Sequence, residues 1–162
     1  MADIEFFDGD LLFDAKVEVV CHQTNCQGVM GAGIAKQIHL VYPRVFDKYQ
    51  EFCSDLSSVG RSPLGSCQLV WTDESQNRIV ANLFGQEYYG RDRQQTDYNA
   101  LRSALHSLAN HPFLVRNKMS LGFPYKIGCA LGGGDWAIVF PMIREELKDY
   151  PGRVEIWRYD RS

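Results

Sequence analysis

Two glycine-rich segments carry the strongest chemical signal in this sequence: Gly28-Val29-Met30-Gly31-Ala32-Gly33 and Gly128-Cys129-Ala130-Leu131-Gly132-Gly133-Gly134. Each lies between a stretch patterned as a strand and one patterned as a helix, where α/β proteins bind phosphate. Glycine admits positive φ and lets backbone approach a ligand, and the free N–H groups at a helix start supply donors and partial positive charge. Two such loops suit a pyrophosphate clamped from both sides. Tight turns without a ligand are the competing explanation for either loop alone, and a pair at equivalent strand ends weighs against it. The first loop departs from the Rossmann fingerprint because no βαβ unit opens the chain, which disfavours a nicotinamide oxidoreductase. A P-loop is absent, since no Gly-Lys-Ser or Gly-Lys-Thr occurs.

Asp10 and Asn25 follow the first and second predicted strands, at the sheet edge where open α/β folds place ligands. A carboxylate there accepts a base amino group, and an amide serves sugar hydroxyls with a donor and an acceptor. A turn at Asp8-Gly9 and a cap by Asn25 are the alternative roles. His22 ends the second strand, and its near-neutral pKa suits a base, acid or nucleophile toward a phosphate or glycosidic carbon. A hydrogen-bonded structural histidine is the alternative there. Cys21, His22 and Cys26 lack a fourth ligand at zinc spacing, so no metal site is expected. His39, His106 and His111 fall on helix faces or ends. The tract Tyr88-Tyr89-Gly90-Arg91-Asp92-Arg93 mixes aromatics and cations that could close over a nucleotide or remain a solvated loop.

Positioning these groups requires a layered framework. Residues 4–7 and 17–22 read as strands joined by a short loop, 67–71 and 78–84 as a hairpin, and 119–123 and 154–157 as two more strands. Apolar spacing predicts helices over residues 34–41, 44–53, 97–111 and 136–147, with Thr96 or Asp97 and then Asp135 as N-caps. Residues 54–65 read as a surface loop. Strands alternating with helices imply a layered α/β sheet, mixed because of its early and middle strand pairs.

The chain has 162 residues, enough for one substantial core and a single domain. Its net charge of −3 and pI of about 5.8 provide no field for general nucleic-acid or anionic-membrane binding, so an anionic ligand must be held by local groups. Five cysteines, an odd number without a C-x-x-C pair, fit a reducing, cytoplasmic setting, with the nucleus also open. The acidic start and the lack of a stretch of roughly 18 apolar residues predict neither secretion nor membrane insertion.

The blocks Gly9-Asp10-Leu11-Leu12, His22-Gln23-Thr24-Asn25-Cys26, Met30-Gly31-Ala32-Gly33-Ile34-Ala35 and Pro124-Tyr125-Lys126-Ile127-Gly128-Cys129-Ala130-Leu131, followed by Asp135-Trp136, resemble a macrodomain in this order across nearly the whole chain. The likeness is greatest to the branch holding the terminal ADP-ribose glutamate hydrolase, the yeast ADP-ribose 1″-phosphate phosphatase and the antitoxin macrodomains acting on DNA. It implies a three-layer α/β/α fold with a mixed sheet of about six strands and ADP-ribose at its crest. Asp10 would bind the adenine amino group, Leu11 would offer a backbone donor, and Asn25 would contact the distal ribose. Met30, Gly31, Ala32, Gly33, Ile34 and Ala35, with Ile127, Gly128, Cys129, Ala130, Leu131 and Gly132, would line the two phosphate loops. Tyr125 or Tyr159 would stack on adenine. His22 falls where phosphatase-like members carry a histidine implicated in catalysis, and Asp135 would orient water or His22.

The lysine nucleophile of the glutamate-hydrolase and DNA-acting members belongs to a segment that here reads Asn82-Leu83-Phe84-Gly85-Gln86 and holds no lysine. Their aspartate falls on Gly132, three residues before Asp135. The Asn-Ala-Ala-Asn motif of protein-deacylating macrodomains is replaced by His22-Gln23-Thr24-Asn25. The expectation is therefore a monomeric, cofactor-free hydrolase acting at the distal ribose of ADP-ribose or of an ADP-ribosylated substrate, with a non-catalytic ADP-ribose reader as the rival.

Overall fold

The computed structural model describes residues 3–90, 92–129 and 132–159. Six strands, β1 (Ile4–Asp8), β2 (Val19–Thr24), β3 (Cys67–Trp71), β4 (Ile79–Phe84), β5 (Leu121–Pro124) and β6 (Val154–Arg158), form one sheet in the order β1-β6-β5-β2-β4-β3. Every neighbouring pair is parallel except β3 with β4. Mixing thus comes from the middle pair alone. β1 and β2 do not pair as the early strand pair was expected to: β1 takes the far edge beside β6, and residues 9–18 carry the chain over to the sheet centre. The Arg78 guanidinium pins that connection by donating to the carbonyls of Leu12 and Ala15, each at 2.7 Å, and of Val17 at 3.1 Å.

Alternation along β2 and β4 sends side chains to two helical layers. Val19, Cys21, Ile79, Ala81 and Leu83 face a core built with α3 (Tyr98–Ala109), α4 (Pro112–Arg116) and α5 (Trp136–Glu146). Val20 and Val80 face α1 (Gly33–Val41) and α2 (Pro43–Ser58). α2 runs five residues past its expected end, while Val45, Tyr49 and Cys53 form the buried i, i+4, i+8 stripe that docks it. α3 and α5 start where an aspartate caps them: Asp97 accepts from the Ala100 N–H at 3.0 Å, and Asp135 from the Ala137 N–H at 2.9 Å. Among the described residues, no helix is long and apolar enough to cross a membrane.

Candidate functional site

Five of the six strands point the same way, so the connections after β2, β4 and β5 converge on one edge of the sheet. A cavity of about 590 Å³ opens there, within the range of small-molecule sites. The first glycine loop contributes Gly31, Ala32, Gly33, Ile34 and Ala35 to its wall, and the second contributes Ile127, Gly128 and Gly132. Asn25 lines it as well. The structure therefore brings both phosphate-type loops to one space, as the spacing led one to expect.

The helix start in this wall is chemically open. α1 has Ala32 at its N-cap, no side chain caps it, and no acidic residue lies in its first turn. By contrast, Asp97, His111 and Asp135 cap α3, α4 and α5. The first N–H groups of α1 thus face the cavity as donors without a side-chain partner, at the positive end of the helix dipole. Gly33 (φ 58°) and Gly128 (φ 74°) both occupy the left-handed region that side chains avoid.

Several lining residues had no predicted role. Gln23 and Thr24 end β2, Gln86 lies between β4 and α3, Pro124 ends β5 and Lys126 follows it, while Tyr89 comes from the tract weighed above as a cover over a nucleotide. Tyr125 also lines the cavity, stacked edge-on against Trp136 at 5.2 Å, with Lys126 Nζ and the Arg158 guanidinium 5.6 and 5.7 Å from its ring centroid. Of the two aromatics considered for stacking, Tyr125 stands at the cavity; Tyr159 is exposed just after β6 and outside the lining.

Neither of the two catalytic candidates is among the residues that line the cavity. His22 has no exposed surface, is not part of the cavity lining and lies on the face of β2 shared by Val20. Register pairs it with Asn82, and Asn82 with Gln68. Asn82 Nδ2 donates to Gln68 Oε1 at 3.0 Å, so Asn82 Oδ1 accepts from the His22 Nε2–H at 2.6 Å. Burial pushes the imidazole pKa down to about 4, against a smaller opposing effect from Asn82. Asp135 is exposed and caps α5, which occupies its carboxylate away from the cavity lining.

Other assigned contacts are spent locally. Asp10 Oδ1 accepts from the N–H groups of Leu12 (2.8 Å) and Phe13 (3.2 Å) and so shapes the turn after β1, while Oδ2 takes no part in these bonds. Asn25 Oδ1 accepts from the Gln27 N–H and the Tyr49 hydroxyl, and its Nδ2 donates to the Val29 carbonyl, so the side chain shapes its own loop and keeps one N–H for a ligand. Leu11 and Met30 are buried among core side chains, and Cys129 packs against the α3/α5 core. Ala130 and Leu131 lie outside the described residues, as does Arg91. Among the described residues, no three His, Cys, Asp or Glu side chains cluster as a metal site would require.

These features define an α/β domain whose parallel strands end at a phosphate-type cleft made of two glycine loops and an uncapped helix. The sequence model of the Macro domain family matches residues 21–143, and the chain belongs to that family. It is 30% identical over 111 residues to the ADP-ribose 1″-phosphate phosphatase of Saccharomyces cerevisiae, an alignment covering 67% of this chain and 61% of that protein. A 50-residue stretch, 31% of this chain and 14% of the other, is 44% identical to the DNA ADP-ribosyl glycohydrolase of Mycobacterium tuberculosis. The macrodomain of Mycobacterium tuberculosis DarG superposes with a TM-score of 0.79 at 26% identity, with both chains fully covered.

Proposed function

We propose that this macrodomain binds ADP-ribose in the crest cavity and hydrolyses a bond at its distal ribose, with ADP-ribose 1″-phosphate as the preferred substrate. The observation that carries this is the uncapped start of α1 opening into the cavity opposite the Gly128–Gly132 loop, a ready cradle for a diphosphate. The similarity to a phosphatase of that substrate supports the choice of leaving group.

In the reaction, water oxygen adds to phosphorus, the bond to the ribose oxygen breaks, and that oxygen takes a proton to leave ADP-ribose and inorganic phosphate. Loop N–H groups stabilise the charge that develops. His22 takes no part, being sealed. The described cavity lining holds no carboxylate and no histidine, so the proton from water passes to the substrate's own ionised phosphate. That same observation favours one rival, a reader that binds ADP-ribose without cleaving it. Five unpaired thiols support a reducing compartment such as the cytoplasm, and the acidic net charge supports a monomeric domain that holds its anion locally.

The test is calorimetric titration with ADP-ribose, followed by phosphate release from ADP-ribose 1″-phosphate in the same samples. Binding with release is expected. Binding without release would leave the reader or a hydrolase of another acceptor, which release of ADP-ribose from an ADP-ribosylated substrate then separates, and absence of binding would sink all of them.

A further inference from the structure

Gln23 ends β2 on the core-facing side shared by Val19 and Cys21, where an apolar residue would be ordinary. Its amide is tied on both hydrogens. Nε2 donates to Gln86 Oε1 at 2.6 Å and to the Thr96 hydroxyl at 2.9 Å. Thr96 passes the bond on, donating to the Gly128 carbonyl at 2.6 Å, while Gln86 Nε2 donates to the Tyr88 carbonyl at 2.7 Å. The N–H groups of Gln95 and Thr96 both donate to the Gly132 carbonyl, at 2.7 and 2.9 Å. Gln23 on the central strand therefore holds the segment between β4 and α3, and that segment's Thr96 hydroxyl and backbone N–H groups in turn hold Gly128 and Gly132.

Glycines crowd around the same amide. A Cβ on Gly85 would run into Gln23 Oε1, one on Gly128 would lie 2.9 Å from it, and one on Gly132 would lie 3.0 Å from Nε2. Gln23 Oε1 is itself buried without a partner. The group is kept there despite the cost of burying an unmet acceptor, which fits a side chain held for what its two donors arrange.

We propose that Gln23 is a positioning residue that sets both walls of the cavity, holding Gly128 and Gly132 through Thr96 and the Tyr89 rim through Gln86. Its effect on ligand rests on the ADP-ribose assignment; its effect on the loops does not. Direction of donation is the active property: a carboxylate of the same shape offers no N–H to either acceptor.

The experiment compares the full chain with Gln23→Glu and with Thr96→Val, which removes the relaying hydroxyl at nearly constant shape. Amide hydrogen exchange is followed on the ligand-free proteins, and ADP-ribose affinity by calorimetry. Expected are an exchange increase of at least about tenfold at Gln95, Thr96 and Gly134, little change in the β2 and β4 amides, and a fall in ADP-ribose affinity of about tenfold, as for loss of one net hydrogen bond. The double variant should be no worse than the poorer single one, because both cut one chain of bonds. Unchanged exchange at those three amides in either folded variant would overturn the proposal, as would uniform acceleration across the sheet. If Gln23→Glu does not fold, Thr96→Val decides alone by the same criteria. Local loosening in the variants, together with a wild type that binds no ADP-ribose, would refute the ligand assignment and leave the positioning role standing.

Discussion

Replacing His22 by glutamine separates an imidazole that takes part in turnover from one that packs β2 against β4. Glutamine retains an N–H for Asn82 Oδ1 and removes the titration. In the folded chain the imidazole pKa is held at about 4, against an ordinary value of 6.5, so the unfolded chain binds the extra proton throughout that interval. Stability from the neutral, buried ring is complete above pH 6.5 and is lost as pH falls toward 4. One proton carries about 1.4 kcal/mol per pH unit, so the full interval is worth about 3 kcal/mol and the drop from pH 7 to pH 5 about 2 kcal/mol. Urea unfolding at a series of pH values should show this slope in the wild type and a curve flatter by that amount in His22→Gln. Turnover of the folded variant should stay within about tenfold of wild type, whereas a general base contributes about a hundredfold or more. A hundredfold loss of kcat at unchanged stability, with disappearance of a rate limb near pH 6 to 7, would refute the sealed-imidazole account.

Asp135→Ala removes only the α5 cap: stability should fall by about 0.5–2 kcal/mol in urea titration while kcat/KM changes less than about threefold. Two glycines should be destabilised by alanine for different reasons. Gly85→Ala drives a methyl into Gln23 Oε1 and should cost about 1–3 kcal/mol together with ADP-ribose affinity, whereas Gly33→Ala meets open space at φ 58° and should cost only the backbone strain of about 1–2 kcal/mol in thermal unfolding. Lys126→Gln removes the sole cation among the described lining residues; calorimetry should show ADP-ribose affinity reduced about tenfold at low salt and less at high salt.

The periodic parts of the fold were legible because burial writes them into the sequence. β3 matches its expected span of residues 67–71, and Asp97 and Asp135 mark the starts of α3 and α5. α4 escaped because its five residues are too few to show a period, and its signals are only Pro112 at the first turn and the His111 cap. The edge position of β1 was hidden for another reason: it depends on pairing with β6, some 150 residues away in the chain, and parallel pairing leaves no turn signature. At the site, glycines announced the loops, but Gln23 and Gln86 carry no motif. One signal was available, since alternation from Val19 places polar Gln23 on the core side of β2. His22 shows the converse: its residue type is plain in the sequence, whereas the strand register that sets it beside Asn82 is not.

Binding and chemistry separate in this cavity for a physical reason. Holding a diphosphate needs only N–H groups kept in place, which an uncapped helix start and glycine loops clamped by Gln23 and Thr96 supply. Cleavage also needs a group that moves a proton, and the described lining offers amides, hydroxyls and one ammonium. An ester or glycosidic acceptor brings no base next to the bond to be broken, whereas a phosphate monoester brings its own oxygens, ionising fully with a second pKa of about 6. Hydrolysis of ADP-ribose 1″-phosphate should then gain rate through about pH 6 with the ionisation of the substrate, in the wild type and in His22→Gln alike. A limb that follows the variant instead of the substrate would place the base in the protein.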